Sequence, residues 1–264
     1  MHGYREREGQ RLADQAGTLV DLLHGDTSYP PGSTVLEAGC GVGAQTVTLA
    51  ARSPEARITS VDISDESVAA ARARVREAGL ANVELRQADM LDPPFEAGSF
   101  DHLFVCFFLE HLPEPATALR RLAALVRPGG SVTVIEGDHG STYFHPDSAA
   151  AHAAIDCQVQ LQAGAGGDAL IGRRVFPLMV DAGLADVRVS PLVVYADGGR
   201  PEWAEGFTRR TFAAMVEGVR EPALAAGMID AETFDTGVRD LYRAAEADGT
   251  FSYTFFKGVG TAQR

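Results

Sequence analysis

The stretch Val35-Leu36-Glu37-Ala38-Gly39-Cys40-Gly41-Val42-Gly43 constrains this chain more than any other: an apolar run meets an acid and then breaks into three alternating glycines. Ser33 to Leu36 has the composition of a buried parallel strand and Ala44 to Arg52 that of a helix, so the glycines occupy a strand-to-helix turn. Glycine removes every side chain from such a turn and permits positive φ. A ligand can then lie against main-chain N–H groups beside a helix N-terminus. The plain alternative is a turn whose glycines serve only tight strand–helix packing.

Two ligands suit the turn. Gly39-x-Gly41-x-x-Ala44 satisfies the dinucleotide fingerprint, in which the helix N-terminus holds a pyrophosphate. Glu37 together with Gly43 favours a different parse, because an acid pointing into the loop repels a pyrophosphate but suits a ligand with an ammonium group and a sulfonium. On these residues the sequence resembles the class I S-adenosylmethionine-dependent methyltransferases, specifically the small-molecule group called type 11, whose first motif is an acid followed by Gly-x-Gly-x-Gly.

Arg57 to Asp62 reads as a second strand, with Ser64 as N-cap of a helix whose face is Val68, Ala71, Val75 and Ala78 and which Gly79 stops. Asp62 therefore ends a strand roughly 20 residues past the glycines, where an acid accepts from both ribose hydroxyls. Both parses want this acid. Val83 to Gln87 is a third strand, followed by Asp89 and Met90, and the resemblance assigns Asp89 to the adenine amino group with Met90 as an apolar wall. It also implies Cys40, Gln45, Ile63 and Cys106 around the cofactor, and Tyr4 closing over it. Asp92-Pro93-Pro94-Phe95 has the wording of the signature of methyltransferases that modify planar amino groups. It stands before the fourth strand, Phe100 to Cys106, rather than after it, and Phe107-Phe108-Leu109-Glu110-His111 follows instead.

Leu119, Leu122 and Val126 mark a helix, Pro128-Gly129-Gly130 ends it, and Ser131 to Ile135 is a fifth strand closing in Glu136-Gly137-Asp138-His139. Beyond it the pattern is helical from Thr142 to about Gly183. A strand from Val187 to Val194, helical stretches from Glu202 to Val219 and Ala231 to Ala247, and a last strand from Thr250 to Val259 follow. An amphipathic helix through Leu12, Ala16, Leu19, Val20 and Leu23 precedes everything. The alternation gives an α/β fold, a doubly wound Rossmann-like sheet with ligands at the carboxyl ends of its strands. The resemblance implies seven strands with a helical cap. The expected organisation is one methyltransferase domain over 1–264, with a lid helix in 1–31, a cofactor-binding core in 32–137, a substrate cap in 138–249 and a last strand in 250–264.

Composition excludes several classes. The formal charge of -13 and the absence of any Lys/Arg-rich run remove the electrostatic footprint of a nucleic-acid binder. Cys40, Cys106 and Cys157 form no Cys-x-x-Cys pair, which suits reduced thiols. The N-terminus has no apolar run long enough for a signal peptide or membrane span, so the expected place is the cytoplasm, with no membrane partner.

Methyl transfer from a sulfonium is an in-line displacement that needs the nucleophile, methyl carbon and sulfur held collinear in a dry pocket. Where the nucleophile must lose a proton, Asp138, His139, Glu110 and His111 are the candidates, and a positioned base contributes about 10²–10⁴-fold. Phe107, Tyr143 and Phe144 are candidate substrate contacts. Glu136, Asp138, His139 and His145 include metal-ligand types, but no His-x-x-x-His pair exists and the end of strand four offers Cys106 and Phe107 where metal-dependent catechol methyltransferases want a carboxylate. No metal is expected. A closer likeness is to bacterial methyltransferases that act on indole C3 of tryptophan-derived cyclodipeptides or related alkaloids, with closure of a pyrroloindoline ring. It implies S-adenosyl-L-methionine as donor, S-adenosyl-L-homocysteine as product and a small aromatic acceptor in secondary metabolism. The alternatives are O- or N-methylation of another small metabolite, a nicotinamide oxidoreductase, and a non-catalytic S-adenosylmethionine-binding module.

Overall fold

The protein is described by a computed structural model over residues 18–263; Tyr4, and the expected start of the leading helix, lie outside the described residues. Helix α1 occupies 18–24 within that range. It is followed by β1 (Thr34–Ala38), α2 (Ala44–Arg52), β2 (Arg57–Asp62), α3 (Asp65–Glu77), β3 (Val83–Gln87) and β4 (Phe100–Cys106). After a single 3₁₀ turn, Leu109–His111, come α4 (Pro115–Ala123), β5 (Val126–His145), α5 (Ala149–Gly164), α6 (Val175–Asp181), β6 (Ala185–Asp197) and β7 (Thr250–Thr261). The sheet has seven strands in the order β3-β2-β1-β4-β5-β7-β6. The pairs β1–β2, β1–β4, β2–β3 and β4–β5 are parallel. Order reverses at β1, and that is where a doubly wound sheet opens a crevice at its carboxyl edge.

The chain divides into two compact units. The larger comprises Val20–Glu136, Ile171–Leu192 and Phe256–Arg264. It contains β1 to β4 whole, with residues 126–136 of β5, 185–192 of β6 and 256–261 of β7. Its core is formed by strand residues covered on both faces, Val35, Leu36, Leu103 and Val105 among them, together with Leu49 of α2 and Leu119 and Leu122 of α4, all essentially inaccessible. Each such aliphatic side chain contributes about 1.5–3 kcal/mol by leaving water. Helix α3 starts where Ser64 Oγ accepts from Ser67 N–H at 3.2 Å, with Asp65 and Glu66 in its first turn against the helix dipole.

The end of α1 is tied to this unit by cations. Lys257, the chain's single lysine, is buried on β7. It donates to Leu23 O at 3.2 Å, to Thr27 Oγ1 at 2.5 Å and to the Asp26 carboxylate. Arg52 adds bonds to Gly25 O at 2.6 Å and Thr27 O at 3.2 Å.

Around Pro128 the chain is strand where its composition predicts the end of a helix. Helix α4 ends at Ala123, Val126 already belongs to β5, and Pro128-Gly129-Gly130 lies within the strand's span. The reason is a distant partner: Gly129 N–H donates to Ala262 O at 3.0 Å and Ala262 N–H to Gly130 O at 2.9 Å. A Cβ on Gly130 would stand 2.3 Å from Asp101 O, so only glycine allows this approach. The same strand also runs past Ile135 to His145, so Glu136–His139, the expected close of the fifth strand, is mid-strand, and the helical region expected from Thr142 begins only at Ala149.

The second unit includes Gly137–Leu170 and Val193–Phe255. Here α5 packs on the helix Ala231–Arg243 so closely that a Cβ on Gly237 would lie 2.3 Å from Ala150 O. A continuous helical run comprises Pro201–Trp203, a π-helical Ala204–Ala213 and Ala214–Glu217. It sets Phe207 and Phe212 among Phe251, Tyr253 and Phe144.

Candidate active site

The glycine turn has the backbone its composition demands. Gly39, Gly41 and Gly43 sit at φ 76°, 51° and 78°, values at which any other residue is strained. A Cβ on Gly39 would fall 2.3 Å from the Phe108 ring and one on Gly43 2.9 Å from Ala71 Cβ, whereas one on Gly41 would meet nothing within 4 Å. The outer two glycines thus answer packing, and the middle one leaves open space over the main chain. Gly39 and Cys40 N–H both donate to Val61 O, at 2.9 and 3.0 Å, which fixes the turn to β2.

Asp62 organises the rim. Its Oδ2 accepts from Gly41 N–H at 2.9 Å and its Oδ1 from Ser64 N–H at 2.9 Å. Each oxygen keeps a further lone pair. Beside it Ile63 is 65% exposed, a large aliphatic side chain held in water at the strand end, which is the kind of surface a flat ligand covers. Asp89 is exposed and accepts from Leu91 N–H at 2.8 Å, while Met90 is buried in the core. Phe95 of the Asp-Pro-Pro-Phe stretch packs edge-on against Phe100 at the start of β4, at the far end of that strand from its carboxyl edge.

Glu37 is 2% exposed, and its Oε2 accepts from Thr46 Oγ1 and Ser60 Oγ, each at 2.6 Å. Burial pushes its carboxyl up to about 6 against those two bonds, with the Asp62 charge adding to the rise. The same burial, with Glu37 and Asp62 nearby, raises the Cys40 thiol, and burial with Glu136 and Glu37 raises that of Cys106 as well. Neither is poised as a thiolate nucleophile. Gln45, in the first turn of α2, has its Oε1 2.5 Å from His24 Nε2. His24 is fully buried, and burial brings its imidazole down to about 4. The ring is therefore neutral and donates from Nε2, which directs the Gln45 amide. No spacing pattern in the sequence marks His24.

At the end of β4, Phe107 adopts φ 53°, which costs a non-glycine residue about 1–2 kcal/mol. Glu110 is mostly buried and His111 largely exposed, their side chains 3.8 Å apart. Glu136 on β5 is completely buried and accepts from Phe108 and Leu109 N–H. Sequence reading placed it only among possible metal ligands. The larger unit thus brings together the glycine turn, Glu37, Gln45, Asp62, Ile63, Asp89, Cys106, Phe107, Glu110 and His111.

Asp138, His139, Tyr143 and Phe144 belong to the second unit. Asp138 is buried, and its Oδ1 accepts from Gly140 N–H at 3.0 Å. His139 has Nδ1 3.0 Å from Tyr253 Oη and Nε2 3.3 Å from Met215 Sδ. Tyr143 is 74% exposed, and Phe144 is buried against Phe251 and His152. Phe144 thus has a core role in its unit. Among the described residues no group of three or more His, Cys, Asp or Glu is arranged to hold a metal ion, and no helix is long and apolar enough to cross a membrane.

Residues 35–130 match the family described as Methyltransferase domain. The chain is 35% identical over 220 residues to an uncharacterized 37.1 kDa protein in a transposon of Streptomyces fradiae, covering 81% of this chain and 61% of that one. It therefore spans about three fifths of that relative's length. It is 26% identical to the 27-O-demethylrifamycin SV methyltransferase of Amycolatopsis mediterranei, over 96% of this chain and 86% of that one. Among solved structures it is similar to a Haemonchus contortus phosphoethanolamine N-methyltransferase bound to phosphomonomethylethanolamine and S-adenosylhomocysteine, with a TM-score of 0.58 and 17% identity over 94% of this chain and 53% of that one. Residues 35–130 thus match a methyltransferase domain, and the seven-stranded sheet that carries them has the fold of that solved methyltransferase.

Proposed function

We propose that the protein binds S-adenosylmethionine at the glycine turn and methylates a small aromatic natural product, with indole C3 of a tryptophan-derived cyclodipeptide as the first acceptor to test. The observation that carries the reading is the arrangement of Asp62, whose two oxygens brace the turn at Gly41 and Ser64 while Ile63 stands exposed beside it. Open space over Gly41, an acid for ribose hydroxyls and an apolar side chain for an adenine face suit the nucleoside. When bound, S-adenosylmethionine supplies an electrophilic methyl carbon.

The chain's own residues have four tasks in this reading. Asp62 orients the ribose by charge-assisted hydrogen bonds, each worth about 1.5–3 kcal/mol. Glu37 sets the charge under the loop toward the donor's amino-acid end, and Gln45, held by His24, adds an amide there. Phe107 is the proposed acceptor contact of the larger unit and the exposed Tyr143 that of the second, Phe144 being given over to its unit's core. Glu110, Asp138 and His139 are the proposed bases, with His111 after them because of its exposure. For an indole acceptor, attack through C3 leaves a cationic ring system. A carboxylate stabilises that charge, and a base then collects the proton released as the pyrroloindoline ring closes.

Hydroxyl methylation is the second reading, favoured by the name of the rifamycin relative. Calorimetry with S-adenosylmethionine and NAD tests the donor: tighter binding of NAD would overturn the reading. Turnover with indole cyclodipeptides, phenols, amines and a structured RNA side by side tests the acceptor, and methylation of the RNA alone would refute a small aromatic substrate. Substituting Asp138→Asn, His139→Ala and Glu110→Gln singly should cost at least one of them about 10²-fold in turnover with donor affinity retained; three near-wild-type enzymes would leave transfer to proximity alone.

A further inference from the structure

The segment after β4 is held in a shape it does not prefer. Phe107 lies in the left-handed region at φ 53°, and the Leu109–His111 turn is a single 3₁₀ turn. Such a piece has too few internal bonds to fix itself and leaves N–H donors at its start. Those donors end on the sheet. Phe107 N–H donates to Ile135 O at 3.0 Å, and Oε1 of the next residue, Glu136, accepts from Phe108 N–H at 3.1 Å and Leu109 N–H at 2.7 Å. Glu136 is completely buried, and its Oε2 has no partner among the described residues. On its other side the held segment presses the Phe108 ring on the glycine turn, so near that a Cβ on Gly39 would be 2.3 Å from Phe108 Cδ2.

The geometry points to Glu136 as a positioning residue for the donor site, a sheet-borne carboxyl that sets the Phe107–His111 turn against Gly39. This rests on the proposed function in one respect, that the ligand of the glycine turn is the methyl donor. Burial, with Glu110 beside it, raises the Glu136 carboxyl well above its ordinary value and so favours the neutral form. In that form Oε1 is a carbonyl oxygen, and a glutamine reproduces both its shape and its charge. The link from strand to turn to ring to glycine lies wholly within the larger unit.

The test uses the full chain, S-adenosylmethionine titration and amide hydrogen exchange. Glu136→Gln should keep donor affinity within about threefold and leave the Phe108 and Leu109 amides as protected as in the wild type. Glu136→Leu should speed exchange of those two amides and weaken donor binding by about tenfold or more, since a lost buried hydrogen-bond acceptor is worth about that factor. Phe108→Ala leaves the carboxyl in place and should weaken donor binding by a similar factor while the Leu109 amide stays protected, which keeps the inference testable where Glu136→Leu fails to fold. Unchanged affinity in Phe108→Ala, or Glu136→Gln behaving like Glu136→Leu, would overturn it. If the wild type binds NAD instead, the functional reading fails while the exchange comparison still decides whether Glu136 holds the turn.

Discussion

Glu37 is a motif acid that is also a buried acid, and the two roles pull in opposite directions. Its carboxyl is raised to about 6 by burial, so protonation favours the folded state. Below the ordinary glutamate value of about 4.3 that contribution is fully present. It is lost as pH rises through about 6. Above that pH the ionised group costs about 2 kcal/mol relative to a neutral isostere. Glu37→Gln should therefore unfold at higher urea than the wild type at pH 8 and show little difference at pH 4, while binding S-adenosylmethionine more weakly. Equal urea midpoints at both pH values would show that Glu37 pays no penalty in its site. Asp62→Ala removes the acceptor for Gly41 and Ser64 N–H as well as any ribose contact. Donor affinity should fall by about tenfold or more, and calorimetry reads it directly.

Between elements, the joint at the end of α1 is the best-defined polar lock. Lys257 is buried, but its carboxylate partner Asp26 has a 79% exposed side chain, so removing the lysine leaves an acid that water can take back. The loss is then the lysine's bonds to Leu23 O and Thr27 Oγ1 rather than a stranded charge, and Lys257→Met should destabilise by about 2–3 kcal/mol. Because Leu23 and Thr27 flank His24, the same substitution should weaken the support of Gln45 and lower donor affinity. A urea midpoint and affinity both equal to the wild type would show that Arg52 alone suffices. Packing of α2 on α3 is the complementary apolar case. Gly43→Ala combines a left-handed backbone with a Cβ 2.9 Å from Ala71 Cβ, and should cost about 1–2 kcal/mol by thermal unfolding from the backbone alone.

For the molecule as a whole, the charge of -13 sets expectations that no single site does. Self-repulsion among 36 acids against 23 basic residues is screened by salt. Thermal stability should rise by a few degrees between about 10 and 150 mM NaCl, the upper value having a Debye length of about 8 Å. A structured RNA should show no mobility shift at the higher salt; a shift would reveal a basic patch that net charge conceals.

What the sequence determined by itself is everything with a local cause. Strands β2, β3 and β4 stand where their apolar patterns put them, Ser64 caps α3, and the three glycines take the positive φ that their spacing announced. The acid at the end of β2 reaches the glycine turn because a parallel β1–β2 pair leaves no other place for it. Tertiary structure decided whatever depends on a partner far along the chain. Pro128-Gly129-Gly130 has the composition of a helix stop and becomes part of a strand because Ala262 supplies its hydrogen bonds. Glu136, just past the strand that its neighbours' composition marks, becomes a buried cap for a turn 28 residues earlier. His24, an unremarked residue near a helix end, becomes the support of Gln45. Periodicity and propensity encode a residue's neighbours within a few positions, whereas burial and hydrogen-bond satisfaction are properties of the folded chain.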